Sequence, residues 1–371
     1  MDFKKIVRKI HLVLGLSSGL LVFILAITGA TLVFQPEFED ATQSFRFIKE
    51  TGGKLLPPSI LLKEAEKSLP GKMIHSIGYE RGRSVNVSYY HEDPDYWYDG
   101  YFDPYTGKLL HLKDSYSDFF GVLYAGHYRL WLPLHIGKPI ASTATLIFIV
   151  MIITGIIQWW PKKSNIGQRF QIKWSARWRR KNYDLHYVLG FYVSVIGLFI
   201  AITGSVMGFQ WFEKSYMWTI TGGKSNYILS IPLSDASTKS ETNDIYNNID
   251  AIFHKLSTSY PKARKLEVHV PEDDMMAIEA SANVNEYSWQ ADVIWYDQYT
   301  LKEIPVKHPW RRQAELSNGE KLRRMNYEMH TGILFGLPGK LILFFSAIII
   351  ASLPISGFII WLGRRKKIRI P

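Results

Sequence analysis

The sequence predicts a membrane α-helical protein with four transmembrane helices arranged as two parallel repeats, together with two extracytoplasmic α+β domains. Three observations support this fold class. They are four long apolar runs, a concentration of basic residues in three short segments, and an internal repeat that covers both halves of the chain. Together they divide the 371 residues into helices, outer domains and cytoplasmic segments.

Four apolar runs are long enough to cross a membrane as helices. A helix of about 20 residues spans roughly 30 Å of hydrocarbon. The runs cover residues 12–34, 139–160, 187–210 and 338–362. The first run is too long for the apolar part of a cleaved signal peptide, and the third run repeats it. We therefore expect it to be a retained helix.

Basic residues indicate which side of the membrane each segment occupies. Residues 1–10, the linker 161–183 and the tail after the fourth run carry 17 lysines and arginines against one acid, Asp2. The whole chain has a net charge of only +11, so the other segments are net negative. Because cytoplasmic loops are enriched in lysine and arginine, we expect both termini and the linker to be cytoplasmic. The two long segments are expected outside.

The composition excludes several cofactors and partners. The absence of cysteine excludes disulfides, thiolate metal sites, iron–sulfur clusters and the C-x-x-C-H attachment of haem. No nucleic-acid partner is expected, because membrane topology accounts for the basic residues. The sequence also has no G-x-G-x-x-G motif, P-loop or H-E-x-x-H motif, so a bound nicotinamide or flavin is not indicated.

An internal repeat relates residues 11–35 to residues 186–210. The aligned pairs are His11 with His186, Gly15 with Gly190, Thr28-Gly29 with Thr203-Gly204, and Phe34-Gln35 with Phe209-Gln210. The second and fourth runs match more loosely, with Thr154-Gly155 opposite Ser356-Gly357. Both halves begin in the cytoplasm, so the repeat is parallel and its pseudo-two-fold axis follows the membrane normal.

The two outer segments also resemble each other. Each contains a helical stretch followed by strand-like alternation and a turn sequence, which is Asp103-Pro-Tyr-Thr-Gly-Lys in the first and a degenerate Asp297-Gln-Tyr-Thr-Leu-Lys in the second. The predicted division is a first helix at 1–35, an outer domain at 36–125, an approach and second helix at 126–161, a cytoplasmic linker at 162–183, a third helix at 184–210, a second outer domain at 211–325, and an approach, fourth helix and basic tail at 326–371.

Four of the 11 histidines are related by the repeat. His11 and His186 lie at the cytoplasmic starts of the first and third helices, and His127 and His330 precede the second and fourth helices. Two imidazoles that meet across an axis suit the axial positions of a haem iron, whereas tetrahedral zinc requires more ligands. We therefore predict two haems, one held by each pair. The alternatives are interfacial histidines without a ligand, and His135 in place of His127.

Small and basic residues accompany these histidines. Gly155 and Gly357 are expected level with the cytoplasmic pair, and Gly29 and Gly204 near the outer pair. There they either make room for a planar group or serve helix packing. Five basic residues on the outer side could pair with haem propionates or an anionic chelate, or be ordinary interfacial cations: Arg129, Lys138, Arg323, Arg324 and Lys340.

The chain resembles the PepSY-associated transmembrane helix family. The resemblance rests on H-x-V-L-G at His11 and His186, the Thr-Gly pairs, the turn at residues 103–108 and the stretch TGIIQWWPKK at 154–163. It implies a protein of the bacterial inner membrane with two external PepSY-like domains and b-type haem. Members of the family that reduce ferric siderophores pass electrons across the membrane to iron in the periplasm.

The predicted function is therefore a di-haem b oxidoreductase that reduces periplasmic ferric chelates, such as ferric siderophores. Its electron donor would be another protein, a quinol or a free reductant. Two alternatives remain open at this point. One is a non-enzymatic anchor whose outer domains bind or regulate a partner such as a peptidase. The other is a component of an iron-chelate transporter, which the apolar helix centres disfavour.

Overall fold

The computed structural model describes residues 2–92, 94–160, 167–223, 230–240 and 244–366. Residues 162–166 of the predicted basic linker and the tail from residue 367 lie outside the described residues. The helices are α1 (Phe3–Leu32), α2 (Gln35–Thr42), α3 (Pro58–Ser68), α4 (Phe119–Arg129), α5 (Leu134–Trp159), α6 (Trp178–Gly208), α7 (Gln210–Ile220), α8 (Ile245–Ser259), α9 (Asn318–Arg324), α10 (Asn326–Thr331) and α11 (Gly336–Lys366). The strands are β1 (Ile74–Glu80), β2 (Val85–Glu92), β3 (Asp95–Phe102), β4 (Leu109–Asp114), β5 (Lys265–His269), β6 (Ile278–Asn283) and β7 (Asp292–Tyr296).

The chain forms two compact units, each assembled from separate segments of sequence. The helical unit comprises Met1–Pro36, Phe119–Tyr216 and Asn326–Pro371. The sheet unit comprises Glu37–Asp118 and Met217–Met325. The chain therefore passes from one unit to the other four times.

Within the described residues, four helices of the helical unit are long and apolar enough to cross a membrane. They are Phe3–Leu32, Leu134–Trp159, Trp178–Gly208 and Ile333–Arg364. Each contains one of the predicted apolar runs almost completely, so the prediction of four candidate spans is confirmed. Their length follows from sequences in which apolar residues cover nearly the whole helix surface, as expected of a helix that faces lipid.

The four long helices pack as a ring. Helix α1 packs against α5 and α11, and α6 packs against the same two helices. Helices α1 and α6 therefore occupy opposite corners of the bundle. A small apolar core of Val22, Val193 and Ile350 lies between them. The two short helices flank this ring, because α4 packs against α1 and α5, and α10 packs against α6.

The chain changes direction between α4 and α5 without a break at Gly137 or Pro139. Helix α5 begins at Leu134 and continues through both residues. The change of direction occurs earlier, at Leu130 and Trp131, whose φ angles of 54° and 57° lie in the left-handed region. The Trp131 indole stabilises this turn, because it donates a hydrogen bond to the Val122 carbonyl oxygen at 2.7 Å.

One antiparallel sheet contains the strands of both outer segments. The strand order is β4-β3-β2-β1-β5-β6-β7, and β1 pairs with β5, with Ile77 opposite Val268. Helices α3 and α8 pack against each other and against the sheet, and they bury side chains such as Leu61 and Ile252 in a shared core. The sequence predicted a domain for each segment; in the structure the two segments share one sheet and one core.

The two turn sequences adopt the same backbone conformation. The Asp103 carboxylate accepts hydrogen bonds from the amides of Tyr105 and Thr106, and Asp297 accepts the equivalent pair from residues 299 and 300. Gly107 has a φ of 75°, and Leu301 adopts 55° at the matching place. Leu301 therefore adopts a strained left-handed conformation at the position where the first turn has glycine.

Replacing Gly107 with alanine is expected to destabilise the sheet unit by about 1 kcal/mol, because an alanine is strained at positive φ. Thermal unfolding followed by circular dichroism measures the effect. Gly53→Ala is the matched control, because Gly53 lies in the same unit and its φ is outside the left-handed region. Equal losses of stability in the two variants would contradict this account of the turn.

Candidate functional site

Two of the predicted histidines meet inside the ring of long helices. His11 on α1 and His186 on α6 come from opposite corners of the bundle, and their ring centroids are 6.5 Å apart. We call them the first histidine pair. The ends of α5 and α11 lie beside them, because His11 contacts Thr154 and His186 contacts Ser356. Neighbouring long helices therefore run in opposite directions.

The other two predicted histidines also meet. His127 on α4 and His330 on α10 have ring centroids 6.2 Å apart, and we call them the second histidine pair. His127 lies against Thr28 of α1. Thr28 follows His11 by nearly five turns, which corresponds to about 25 Å along α1. The two pairs therefore lie at opposite ends of the bundle, at a separation close to the thickness of the hydrocarbon core.

Each of the four imidazoles forms a hydrogen bond from Nδ1 to a hydroxyl on a neighbouring helix. The Nδ1–Oγ distances are 2.9 Å for His11 with Thr154, 3.3 Å for His127 with Thr28, 2.9 Å for His186 with Ser356, and 2.9 Å for His330 with Thr203. These hydroxyls belong to the Thr/Ser-Gly pairs that align in the internal sequence repeat. Residues that align in the sequence therefore make the same histidine–hydroxyl contact between helices.

The hydrogen bonds determine which nitrogen of each ring carries the proton. The Thr203 hydroxyl donates its single hydrogen to carbonyl oxygens one turn earlier in α6, so its oxygen accepts from His330 Nδ1–H. The Ser356 and Thr154 hydroxyls are engaged in the same way. His127 Nδ1 also lies 2.9 Å from the Leu25 carbonyl oxygen, which can only accept. The lone pair of each ring is therefore on Nε2.

The spacing of the rings fits a metal ion held between two axial imidazoles. The ring centroid lies about 1 Å behind the coordinating nitrogen, so two rings with metal–nitrogen bonds of about 2 Å are expected about 6 Å apart. Rings in simple edge contact also show this spacing. Hydrogen bonds at Nδ1 like those of the two pairs also accompany histidines that bind a metal through Nε2.

The glycine of each Thr/Ser-Gly pair lies against the imidazole itself. A Cβ added to Gly29 would be 2.8 Å from Cε1 of His127, and one added to Gly204 would be 3.2 Å from Cε1 of His330. A Cβ added to Gly357 would be 3.2 Å from Cε1 of His186, whereas one added to Gly155 would make only an ordinary contact with His11, at 3.4 Å. The sequence suggested that these glycines make room for a planar group or serve helix packing. In the structure each of them lies beside the histidine ring, and at Gly29, Gly204 and Gly357 the missing side chain leaves room for that ring.

Burial lowers the pKa of both imidazoles in the second pair. The pKa of His330 falls to about 4, chiefly because burial penalises the charged form, and the nearby His127 adds to the effect. Burial also lowers the pKa of His127. Both rings are therefore neutral at pH 7, and a neutral imidazole retains the lone pair that a metal ligand requires.

The other candidate residues have different surroundings. His135 is exposed in the first turn of α5 and does not join the second pair. Arg324 is 2% exposed, and its guanidinium donates to the carbonyl oxygens of Ala291 and Arg311 inside the sheet unit. The sequence left Arg324 as either a partner for an anionic ligand or an interfacial cation, whereas the structure places it in the interior of the sheet unit. Lys340 is buried in the helical unit, with Nζ 6.0 Å from the Phe34 ring.

A five-residue pattern before two of the histidines was missed in the sequence. The sequence at 182–186, Asn-Tyr-Asp-Leu-His, closely resembles the one at 326–330, Asn-Tyr-Glu-Met-His. The first segment lies in the third long helix, and the second lies in the short helix that precedes the fourth. Asn182, Asp184, Asn326 and Glu328 are all buried. The longer repeat aligns the third long helix with the first, and the first helix lacks the Asn-x-x-x-His pattern. Aligning the two halves of the chain therefore does not reveal the pattern.

Two further histidines meet in the sheet unit. The rings of His75 on β1 and His269 on β5 are 4.8 Å apart. Across the described ranges, no group of three or more His, Cys, Asp or Glu side chains is placed to hold a metal ion.

Comparison with known proteins gives one result that agrees with this architecture. No curated protein matches the sequence. A family model described as the PepSY-associated TM region matches residues 8–364, which is nearly the whole chain. The match includes all four long helices, both histidine pairs and the sheet unit. The chain therefore belongs to the PepSY-associated transmembrane family.

Proposed function

We propose that this protein is a di-haem b membrane oxidoreductase that carries electrons across the bacterial inner membrane to ferric chelates in the periplasm. The observation that carries the proposal is the pair of sites in the helical unit. Each site has two imidazoles whose ring centroids are about 6 Å apart. In each ring Nδ1 is hydrogen-bonded and Nε2 has a lone pair.

The residues of the chain have distinct tasks in this proposal. His11 and His186 would hold one haem through Nε2, and His127 and His330 would hold the other. Haem, when bound, supplies a one-electron redox centre. The four hydroxyls keep each ring in the required tautomer and orientation. The apolar surfaces of the long helices exclude water from the space between the two sites.

The position of the two sites suits electron transfer across a membrane. They lie about 25 Å apart along α1, so one site would be near each face of the hydrocarbon core. We propose that the first pair faces the cytoplasm, because it lies at the end where α1 and α6 begin with basic residues such as Lys4 and Arg180. The sheet unit would then be periplasmic.

The proposed substrate is ferric iron held by a chelate such as a siderophore. One electron from the second site would convert each ferric ion to ferrous iron, and the lower charge weakens its binding to hard oxygen ligands. The electron would come from a quinol or a cytoplasmic reductant. The family membership and the apolar helix centres support this reading over a transporter, for which broken helices near the midplane are typical.

The decisive experiment is a dithionite-reduced minus oxidised absorption spectrum of the purified protein, with haem quantified per chain. We expect a b-type spectrum and about two haems per chain. Oxidation of the reduced protein by a ferric siderophore, followed by stopped-flow absorption, then tests the acceptor. A colourless protein, produced with haem available, would refute the proposal and favour a non-enzymatic anchor that binds or regulates a partner.

A further inference from the structure

Two of the four histidines have a buried asparagine one helical turn before them. Asn182 precedes His186 on α6, and Asn326 precedes His330 on α10. Residues four apart lie on the same face of a helix, so each asparagine points towards the same neighbouring helix as its histidine. Each asparagine is only 4% exposed, and an amide at such a site is stabilised only when it is hydrogen-bonded.

Each asparagine binds the same Ser or Thr residue as its histidine. Asn182 Nδ2 donates to the Ser356 carbonyl oxygen at 3.0 Å, while His186 Nδ1 lies 2.9 Å from the Ser356 hydroxyl. Asn326 Nδ2 donates to the Thr203 carbonyl oxygen at 3.0 Å, while His330 Nδ1 lies 2.9 Å from the Thr203 hydroxyl. The partners come from different helices in the two cases, yet the two-point contact is the same.

The second contact restricts how the histidine can move. A single hydrogen bond from Nδ1 allows the imidazole to swing about the bond and allows the two helices to slide. A second bond to the carbonyl of the same residue fixes the height of one helix against the other. Asparagine is not favoured in helix interiors, so its use at both sites is consistent with this role.

The other histidine of each pair has no such neighbour. Val7 and Leu123 occupy the place four residues before His11 and His127, and an apolar side chain cannot donate a hydrogen bond. Each pair therefore combines one imidazole held through a two-point contact and one without it. The two-point contact occurs where an asparagine precedes the histidine by four residues. It is absent from the first helix, although the longer repeat aligns that helix with the third.

We propose that Asn182 and Asn326 are positioning residues, each of which holds one axial histidine in place by fixing the residue that accepts its Nδ1–H. This proposal rests on the proposed function, since it concerns ligands to haem. A hydrogen bond from Nδ1–H raises the basicity of the imidazole, which favours the ferric state. Loss of the asparagine weakens that bond, so the affected haem becomes easier to reduce.

The test is a redox titration of the full-length protein, followed by absorption, for Asn326→Leu and Asn182→Leu. At a fixed ambient potential we expect a severalfold higher ratio of reduced to oxidised haem at the site of the substitution, with the other site unchanged. The two variants are each other's control. If a leucine variant does not accumulate, Asn→Ser at the same position, which is shorter and loses the amide, takes its place.

A double-mutant cycle with Thr203 tests whether the effect passes through the proposed hydrogen bond. Thr203→Val removes the acceptor hydroxyl, so adding Asn326→Leu should give little further change, whereas in Thr203→Ser the effect of Asn326→Leu should persist. If the wild type contains haem but the asparagine substitutions leave both potentials unchanged, or change both sites equally, the positioning role alone would be overturned. A colourless wild type would overturn this proposal together with the proposed function.

Discussion

Replacing His186 with alanine is expected to cost the purified protein about one of the two proposed haems, and replacing His330 is expected to cost the other. Each residue would supply one of only two protein ligands to its iron, and the hydroxyl that orients it cannot substitute for a lone pair on nitrogen. Haem per chain, measured from the absorption of its pyridine complex, gives the result. The remaining haem should keep its own spectrum and potential.

His135 provides the matched control for this prediction. It lies close in sequence to His127, but it is exposed at the start of α5. His135→Ala should therefore retain both haems, whereas His127→Ala should lose the haem of the second pair. Loss of haem from His135→Ala, with none from His127→Ala, would assign the outer ligand to His135. Circular dichroism of each variant separates lost ligation from lost folding.

Replacing Gly29 with alanine is expected to weaken haem retention at the second pair by about tenfold or more, the range seen when second-shell contacts are lost. The added Cβ would lie 2.8 Å from Cε1 of His127. Real atoms do not approach so closely, so the ring must move away from Thr28 and out of its orientation. Retention is measured as the haem that remains per chain after competition with a haem-binding protein.

Gly155 offers a graded comparison for the same substitution. Its Cβ would lie 3.4 Å from Cε1 of His11, which is an ordinary contact, so Gly155→Ala should keep both haems. Alanine favours a helix over glycine by up to about 1 kcal/mol, so neither change is expected to unfold its helix. Equal haem loss in the two variants would contradict a steric origin.

The four histidines could be paired from the sequence, because an internal repeat aligns them. When Gly137 is aligned with Gly339, His127 and His330 are one residue out of register. This difference has a structural reason. Each lies on its own short helix, α4 or α10, and different turns follow. Leu130 and Trp131 form the first turn with positive φ angles, and Gly332 and Gly336 do so in the second. These turns absorb the extra residue.

The asparagines and the continuous sheet were beyond sequence reasoning for a different reason. Asn182 contacts a carbonyl 174 positions away in the chain, and β1 pairs with β5 through Ser76 and His269. Such contacts depend on which helices and strands pack together. Neither the spacing of apolar residues in the sequence nor the composition reveals which elements become neighbours. Arg324 illustrates the same limit. The sequence suggested a partner for an anionic ligand or an interfacial cation, whereas the fold buries the guanidinium against carbonyl oxygens.

The sequence by itself determined the four candidate spans, the turns at Asp103 and Asp297, and membership of the family. These features depend on local composition and on residues a few positions apart, which act before the chain has packed. Only the tertiary structure decided the joined sheet, the tautomer of each paired histidine and the partner of each buried amide. Hydrogen-bond direction depends on which donor and acceptor are brought together, and distant segments meet only when the chain folds.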